Sequence, residues 1–284
     1  MKEKLMHIDR RIIFVFVFLG VAVPLLVEFS FPIKPTSMVQ DIYDQIERVG
    51  DKKGTVLFAF DYGPGSEPEL QPMARALLRH CFSRGVKVVA VCLWPDAPGL
   101  AQAALEETAA EFGKYAGVDY AFMGYKPGLA SVVINMGQDF HSAFPKDAWG
   151  TPSDSLEVTR NIRSLKDFDF VFDLAAGSTI EMWIVYAQEK YRFPLGGGCT
   201  AVIAPDLFPF LQSNQLVGLI GGLAGAAEYE TLIEHPDAAT SGMRPQSVTH
   251  LVLIVFIALG NLMYFLTGRG TAARPETRQQ RTRS

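Results

Sequence analysis

Acidic side chains follow or end most of the short apolar runs in this chain. Asp61 follows the first run, Asp96 the second and Asp206 the fifth, and Asp173 lies near the end of the fourth. If these runs are strands of a parallel sheet, their carboxyl ends meet along one edge, where ligands bind in such folds. Carboxylates held together there can bind a divalent cation or raise one another's pKa for acid–base chemistry. The alternative is that Asp61, Asp96 and Asp206 each cap the helix that follows.

Other polar residues are expected at the same edge. Tyr62 continues the loop after the first run, Lys126 follows the third, and Ser178 and Thr179 follow the fourth. Ser178 and Glu181 have the spacing of a capping box, which predicts a local helix cap. The predicted ligand-binding residues are therefore Asp61, Tyr62, Asp96, Lys126, Asp173, Ser178, Thr179 and Asp206.

The sequence contains no specific catalytic or cofactor motif. The loop DYGPGSEPE matches neither a dinucleotide-binding pattern nor a P-loop, and its prolines lack the amide donors that a phosphate needs. The five histidines and three cysteines show no metal-ligand spacing. We predict no catalytic residue and no cofactor. The acidic edge is compatible with a bound divalent metal ion. The acidic middle of the chain disfavours nucleic acid as a partner.

Short apolar runs alternate with segments of helical periodicity between residues 55 and 233. This alternation is typical of β-α-β units and predicts a Rossmann-like, mostly parallel sheet of about five strands. The predicted strands are residues 55–60, 87–93, 119–123, 168–174 and 200–204. The predicted helices are residues 69–84, 97–113, 128–140, 154–166 and 179–191.

The segment from residue 206 to residue 233 is predicted as a helix or helix pair rich in small residues. Gly218 and Gly222 lie four residues apart, as do Gly221 and Gly225, which leaves a narrow surface for close backbone approach. Two interpretations remain open. The segment is either a tightly packed helix inside the domain or a flat surface for oligomerisation or re-entrant membrane contact.

Two long apolar runs lie near the two ends of the chain. Residues 12–27 carry no charge, and residues 251–266 contain one strongly polar side chain, Asn261. With their apolar flanks, both runs reach the roughly twenty residues that a bilayer core requires. A cleavable signal peptide is the alternative for the first run, but no small-residue cleavage site follows it. Asn261 either forms a hydrogen bond to another helix or is a lone polar group that the span accommodates.

The charge of the chain is unevenly distributed. Four basic residues and two acids precede the first run, five arginines and one acid follow the second, and the formal net charge is -4. Since basic flanks remain in the cytoplasm, both termini are predicted to be cytoplasmic and the middle extracytoplasmic, in the plasma or inner membrane. The predicted order is a basic N-terminus (1–11), a membrane helix (12–33), an amphipathic juxtamembrane helix (34–54), an α/β domain (55–233), a connector (234–247), a membrane helix (248–268) and a basic tail (269–284).

Four segments occur in order in the middle of the chain: DYGPGSEPEL, the LWP turn, GVDYAFMGYKPG and GLAGAAEYE. Together they resemble a family of membrane-anchored α/β proteins of prokaryotes. The resemblance covers most of residues 55–233 and implies a single domain. It implies no activity and assigns no functional residue.

These observations predict a membrane-tethered module that binds a partner protein or a small polar ligand, as an oligomer or as one subunit of a membrane assembly. The expected partners are the lipid bilayer and further copies of the chain or other membrane proteins. The alternative is a membrane-bound hydrolase that uses Asp61, Asp96 and Asp173 around a metal ion, with Lys126 holding an anionic group. A third interpretation is a structural component with an empty crevice.

Overall fold

The computed structural model of the chain describes residues 10–27 and 32–266. It separates into two compact units. Of the described residues, Pro32–Met243 form the larger unit, and residues 10–27 and 244–266 form the smaller one. The predicted sheet therefore lies in the larger unit, and the two apolar runs lie in the smaller one.

The larger unit is built on a sheet of six parallel strands. They are β1 (Thr55–Asp61), β2 (Lys87–Cys92), β3 (Tyr120–Tyr125), β4 (Phe170–Ala175), β5 (Leu195–Cys199) and β6 (Leu219–Gly221). Their order is β3-β2-β1-β4-β5-β6, and each neighbouring pair is parallel. The predicted α/β fold with a parallel sheet is confirmed, with six strands instead of about five. The direction of winding reverses between β1 and β4, so their carboxyl ends flank the position where such folds form a crevice.

Helices cover both faces of this sheet. Those of the described chain are α1 (Arg10–Leu26), α2 (Ser37–Asp51), α3 (Glu67–Ser83), α4 (Pro98–Glu111), α5 (Ala130–Gln138), α6 (Phe140–Ala143), α7 (Thr179–Trp183), α8 (Glu189–Tyr191), α9 (Ala204–Gln212), α10 (Gly222–Leu232) and α11 (Ala238–Leu266). Short 3-10 turns occupy Pro64–Ser66 and Leu165–Asp167, and a π-helical turn at Ile184–Gln188 joins α7 to α8.

The central strand β1 is buried on both sides, which explains its continuous apolar sequence. Val56, Phe58 and Phe60 point into a core formed with α2, α3, α4 and α10. Leu57 and Ala59 point into a second core formed with α5 to α9. Parallel strands covered on both faces read as unbroken hydrophobic runs, because neither face meets water.

The fifth strand lies earlier than the sequence predicted. Residues 200–204 were predicted as a strand, but β5 is Leu195–Cys199, and the residues after it turn into α9. The strand contains three consecutive glycines, at which a side chain has no room. A Cβ at Gly196 would lie 2.6 Å from the Phe170 ring. The aromatic residues of β4 thus fill the space that side chains of β5 would occupy, and glycine gives no hydrophobic signal in the sequence.

Two other segments differ from their predicted structure. Residues 154–166, predicted as a helix, form turns, in which the Thr159 hydroxyl donates a hydrogen bond to the Ser153 carbonyl. Residues 206–233 form part of α9, then β6 and α10, where a single helix or a helix pair was predicted.

The four glycines of the small-residue segment pack inside the larger unit. A Cβ at Gly218 would approach the Met38 carbonyl oxygen to 2.5 Å, and one at Gly225 would lie 3.0 Å from Ile220. Gly221 and Gly222 face Ala204 and Ala201 in the same way, and Gly222 has a φ of +60°. These contacts correspond to the interpretation of a tightly packed internal element.

Two glutamates of α10 accept hydrogen bonds from the first and the last segments of the larger unit. Glu228 accepts hydrogen bonds from the backbone amide and the hydroxyl of Thr36, both at 2.8 Å, where the chain enters α2. The buried Glu230 accepts bonds from the amides of Asp237, Ala239 and Thr240 at 2.8–2.9 Å, at the start of α11. A carboxylate that satisfies the first amides of a helix stabilises that end of the helix. The chain therefore enters and leaves the domain beside one helix.

The smaller unit contains α1 and the later part of α11. Phe16 packs edge-on against Phe256 with ring centroids 5.8 Å apart, and Gly20 lies against Val252 and Thr249. Within the described chain one helix, Ala238–Phe265, is long and apolar enough to cross a membrane. The described part of α1 is 17 residues long, and the predicted span 12–33 extends into residues outside the description.

Candidate functional site

Asp61 and Asp173 lie side by side at the carboxyl edge of the sheet. Asp61 ends β1, and Asp173 lies in the neighbouring β4, where it is in register with Ala59. Positions 59 and 61 of a strand point to the same face, so both carboxyl groups point into the core that α5 to α9 cover. Asp61 is 1% exposed and Asp173 is 0% exposed. Asp61 and Asp173 together form the carboxyl pair.

Few protein groups satisfy these two side chains. Oδ1 of Asp61 accepts a hydrogen bond of 2.7 Å from the amide of Leu93, just beyond β2. Oδ2 of Asp61, both oxygens of Asp173 and the nearby hydroxyl of Thr179 form no hydrogen bond within the described part of the chain. Buried polar atoms are almost always hydrogen-bonded in folded proteins. Unsatisfied carboxyl oxygens at this position therefore indicate a proton, a water molecule or a ligand.

The electrostatics of the carboxyl pair follow from its burial. Removal from water raises the pKa of Asp61 to about 7, against the opposing effects of the amides of Leu93 and Trp94. Burial and the negative charge of Asp61 raise the pKa of Asp173 well above its ordinary value, and Glu181 adds to the rise. No basic residue of the described chain contributes to either shift. The two carboxyl groups are adjacent and interact, so they share a proton near neutral pH and titrate as a unit.

The loops after β1 and β2 pack closely over this edge. A Cβ at Gly63 would lie 3.3 Å from the Cβ of Asp96 and 3.8 Å from the Trp94 ring nitrogen. Trp94 is 41% exposed, and Asp96 is also on the surface. A Cβ at Gly177, after β4, would meet no atom within 4 Å. The edge is thus closely packed on the side of β2, whereas there is free space around Gly177.

The other predicted site residues are engaged elsewhere. The Tyr62 hydroxyl donates a hydrogen bond to Gln71, and the Lys126 ammonium donates one to the Ala143 carbonyl and lies 5.5 Å from the centroid of the Phe144 ring. Asp206 is exposed in the first turn of α9. Within residues 10–27 and 32–266, no group of three or more acidic, histidine or cysteine side chains is placed to hold a metal ion. Of the predicted residues, the structure brings together Asp61, Asp173 and Thr179.

The structure does not show the helix caps that were the alternative for the acidic residues and for Ser178. Asp61 binds the amide of Leu93 rather than a helix end. Ala97, not Asp96, is the N-cap of α4, and Ile203 is the N-cap of α9. Ser178 is the N-cap of α7 but makes no side-chain capping bond, so the predicted capping box is wrong. Its second member, Glu181, instead contributes negative charge near Asp173.

Two features of the site were missed by sequence reasoning. Glu69, in the first turn of α3, accepts a hydrogen bond of 2.9 Å from the amide of Ala201 and so joins the loop after β5 to α3. Cys199 ends β5, whereas the sequence placed it at the start of a strand. Burial, and to a lesser degree Glu69, raises the pKa of Cys199 to about 12, so its thiol stays protonated and is a poor nucleophile. The sequence signal that could have identified Glu69 is its position as an acidic residue in the first turn of a predicted helix.

Comparison of the chain with protein-family models, with curated proteins and with solved structures finds no match. The class that the fold defines is a doubly wound parallel α/β domain. The site is defined by the carboxyl pair alone.

The carboxyl pair predicts a specific pH dependence of stability. Between the ordinary pKa of 3.8 and the folded value of about 7, the folded state binds more protons than the unfolded chain. The contribution of Asp61 to the free energy of unfolding is therefore largest below about pH 4 and is lost as the pH rises to about 7. Asp173, whose pKa is raised in the same direction, adds a loss of stability of the same sign as the pH rises. The slope is about 1.4 kcal/mol per pH unit for each proton.

Denaturant unfolding of the full-length protein across this pH range measures the effect. The double variant Asp61→Asn/Asp173→Asn should lack this component, and Asp96→Asn should retain it. Parallel pH profiles for the wild type and the double variant would contradict the assignment.

Proposed function

We propose that this protein is a membrane-anchored α/β module that binds a small ligand. The ligand carries positively charged or hydrogen-bond-donating groups. The binding site is the carboxyl edge of the sheet at Asp61 and Asp173. The observation that carries the proposal is the set of buried carboxyl oxygens that the described protein groups leave unsatisfied. Leaving such a group without a partner costs about 1–3 kcal/mol, and more when it is charged.

The electrostatics of the site favour one class of ligand. The pair has a net negative charge once Asp61 ionises, and Glu181 contributes further negative charge. Lys126, the basic residue predicted nearby, is bound to the Ala143 carbonyl. A cation or an array of N–H and O–H donors would complement these oxygens, whereas a phosphate or carboxylate ligand would be repelled.

A hydrolase is the second candidate, because two carboxyl groups that share a proton near neutral pH can act as acid and base. The pKa of Asp61, raised by burial to about 7, favours this role. A metal-assisted version would need a third ligand. Asp96, the residue predicted for that role, lies on the surface against Gly63.

The proposed location is the outer face of the plasma or inner membrane. Helix α11 has the length and apolarity of a membrane span. The exposed apolar side chains of α1, including Phe14 and Phe18, suit contact with lipid. The basic residues outside both runs would keep the two termini in the cytoplasm.

Ligand binding is tested by thermal unfolding of the full-length protein in detergent, with magnesium chloride and with spermidine as separate probes. A cation that binds the pair should raise the Tm by several degrees when present at about a hundredfold excess over its Kd. The increase should be larger above pH 7 than below it, because Asp61 is then ionised.

The double variant Asp61→Asn/Asp173→Asn should lose the increase, and the surface variant Asp206→Asn should keep it. If the double variant responds to both probes as the wild type does, cation binding at the pair is wrong. Hydrolysis of a chromogenic phosphate or acyl ester that depends on both carboxyls would instead favour the second candidate.

The topology is tested separately by protease treatment of intact spheroplasts. Residues 55–233 should be cleaved, while epitope tags at the two termini should remain protected until the membrane is opened. Protection of the domain in intact spheroplasts, with cleavage only in opened vesicles, would place it in the cytoplasm.

A further inference from the structure

Asn261 lies at a depth in α11 where water is remote. The predicted membrane helix that contains it extends from residue 248 to residue 268. Asn261 is three residues beyond the middle of that span, or about 4.5 Å along a helix. A bilayer core is about 30 Å thick. A membrane-spanning α11 therefore places this amide about 10 Å inside the hydrocarbon region.

The amide has no partner within the part of the chain that the structure describes. Asn261 is exposed, and no hydrogen bond joins it to another described residue. Helix α1 occupies a different face of α11, since Gly20 lies against Val252 and Phe16 against Phe256. Asn261 is about 180° around the helix from Val252 and about 140° from Phe256. The packing of α1 on α11 therefore leaves the amide facing lipid.

The surface around Asn261 is suited to another helix. Ile254, Ile257 and Phe265 share its face and are 61%, 64% and 77% exposed. Ala258 lies one turn away on the same face, and a Cβ at Gly260 would meet no atom within 4 Å. Small residues beside a polar one allow two helix backbones to approach closely enough for a side-chain hydrogen bond.

We propose that α11 pairs with α11 of a second copy of this chain through its Asn261 face. An identical chain has the same membrane orientation, so its Asn261 lies at the same depth in a parallel helix. A carboxamide has both donors and an acceptor, and two such groups related by a twofold axis satisfy each other. The inference depends on α11 spanning the membrane and is independent of the ligand at the carboxyl pair.

The test measures self-association of the full-length protein in liposomes by energy transfer between donor- and acceptor-labelled copies. The wild type should associate, and Asn261→Leu should raise the dissociation constant about threefold to tenfold, as expected for one interhelical hydrogen bond. Asn261→Gln should restore association. Asn161→Leu, the same change at an exposed position of the larger unit, should have no effect.

Cysteine cross-linking identifies the face independently. The three native cysteines are buried, so an introduced thiol reports its own surroundings. Ala258→Cys should form a disulfide-linked dimer under mild oxidation, whereas Val252→Cys, on the face that α1 occupies, should not. Monomeric wild-type protein at all lipid ratios would overturn the proposal, as would wild-type association of Asn261→Leu.

Discussion

Two carboxyl groups are forced together inside this protein by the register of two parallel strands. Ala59 of β1 is paired with Asp173 of β4, so Asp61, two residues further on, points to the same face at the same edge. Neither group can move into water without opening the sheet or its covering helices. The shared proton, the negative potential and the class of ligand proposed for the site all follow from this geometry.

A second set of buried polar contacts fixes the domain to the segments that lead to its apolar helices. His80 lies between Glu47 of α2 and Tyr229 of α10, with both hydrogen bonds at 2.7 Å, and Tyr43 stacks on its ring. Burial lowers the pKa of His80, although Glu47 opposes this effect. Together with Glu228 and Glu230, these contacts hold α2 and the start of α11 against the body of the domain.

The extent to which the sequence predicted the fold depended on the type of local signal. Strands β1 and β2 and helix α3 were predicted to within about two residues, since apolar runs and helical periodicity report burial directly. Strand β5 was misplaced because the space beside Phe170 and Phe172 demands glycine, which gives no such signal.

The site was predicted in part for a related reason. The expectation that ligands bind at the carboxyl ends of parallel strands pointed to Asp61 and Asp173. It pointed equally to Asp96, Lys126 and Asp206. Which side chains face each other depends on strand register and loop path, and neither can be read from a single sequence. Glu181 illustrates this limit, because its spacing from Ser178 indicated a cap while its structural role is electrostatic.

The shared proton of Asp61 and Asp173 is the central claim, and infrared spectroscopy of the full-length protein measures it most directly. Near neutral pH the wild type should show the carbonyl stretch of a protonated carboxylic acid that is absent from Asp61→Asn/Asp173→Asn. The intensity attributable to the pair should change with a midpoint near pH 7, where burial places the pKa of Asp61. Identical spectra for the wild type and the double variant, with every carboxyl ionised at neutral pH, would contradict the account.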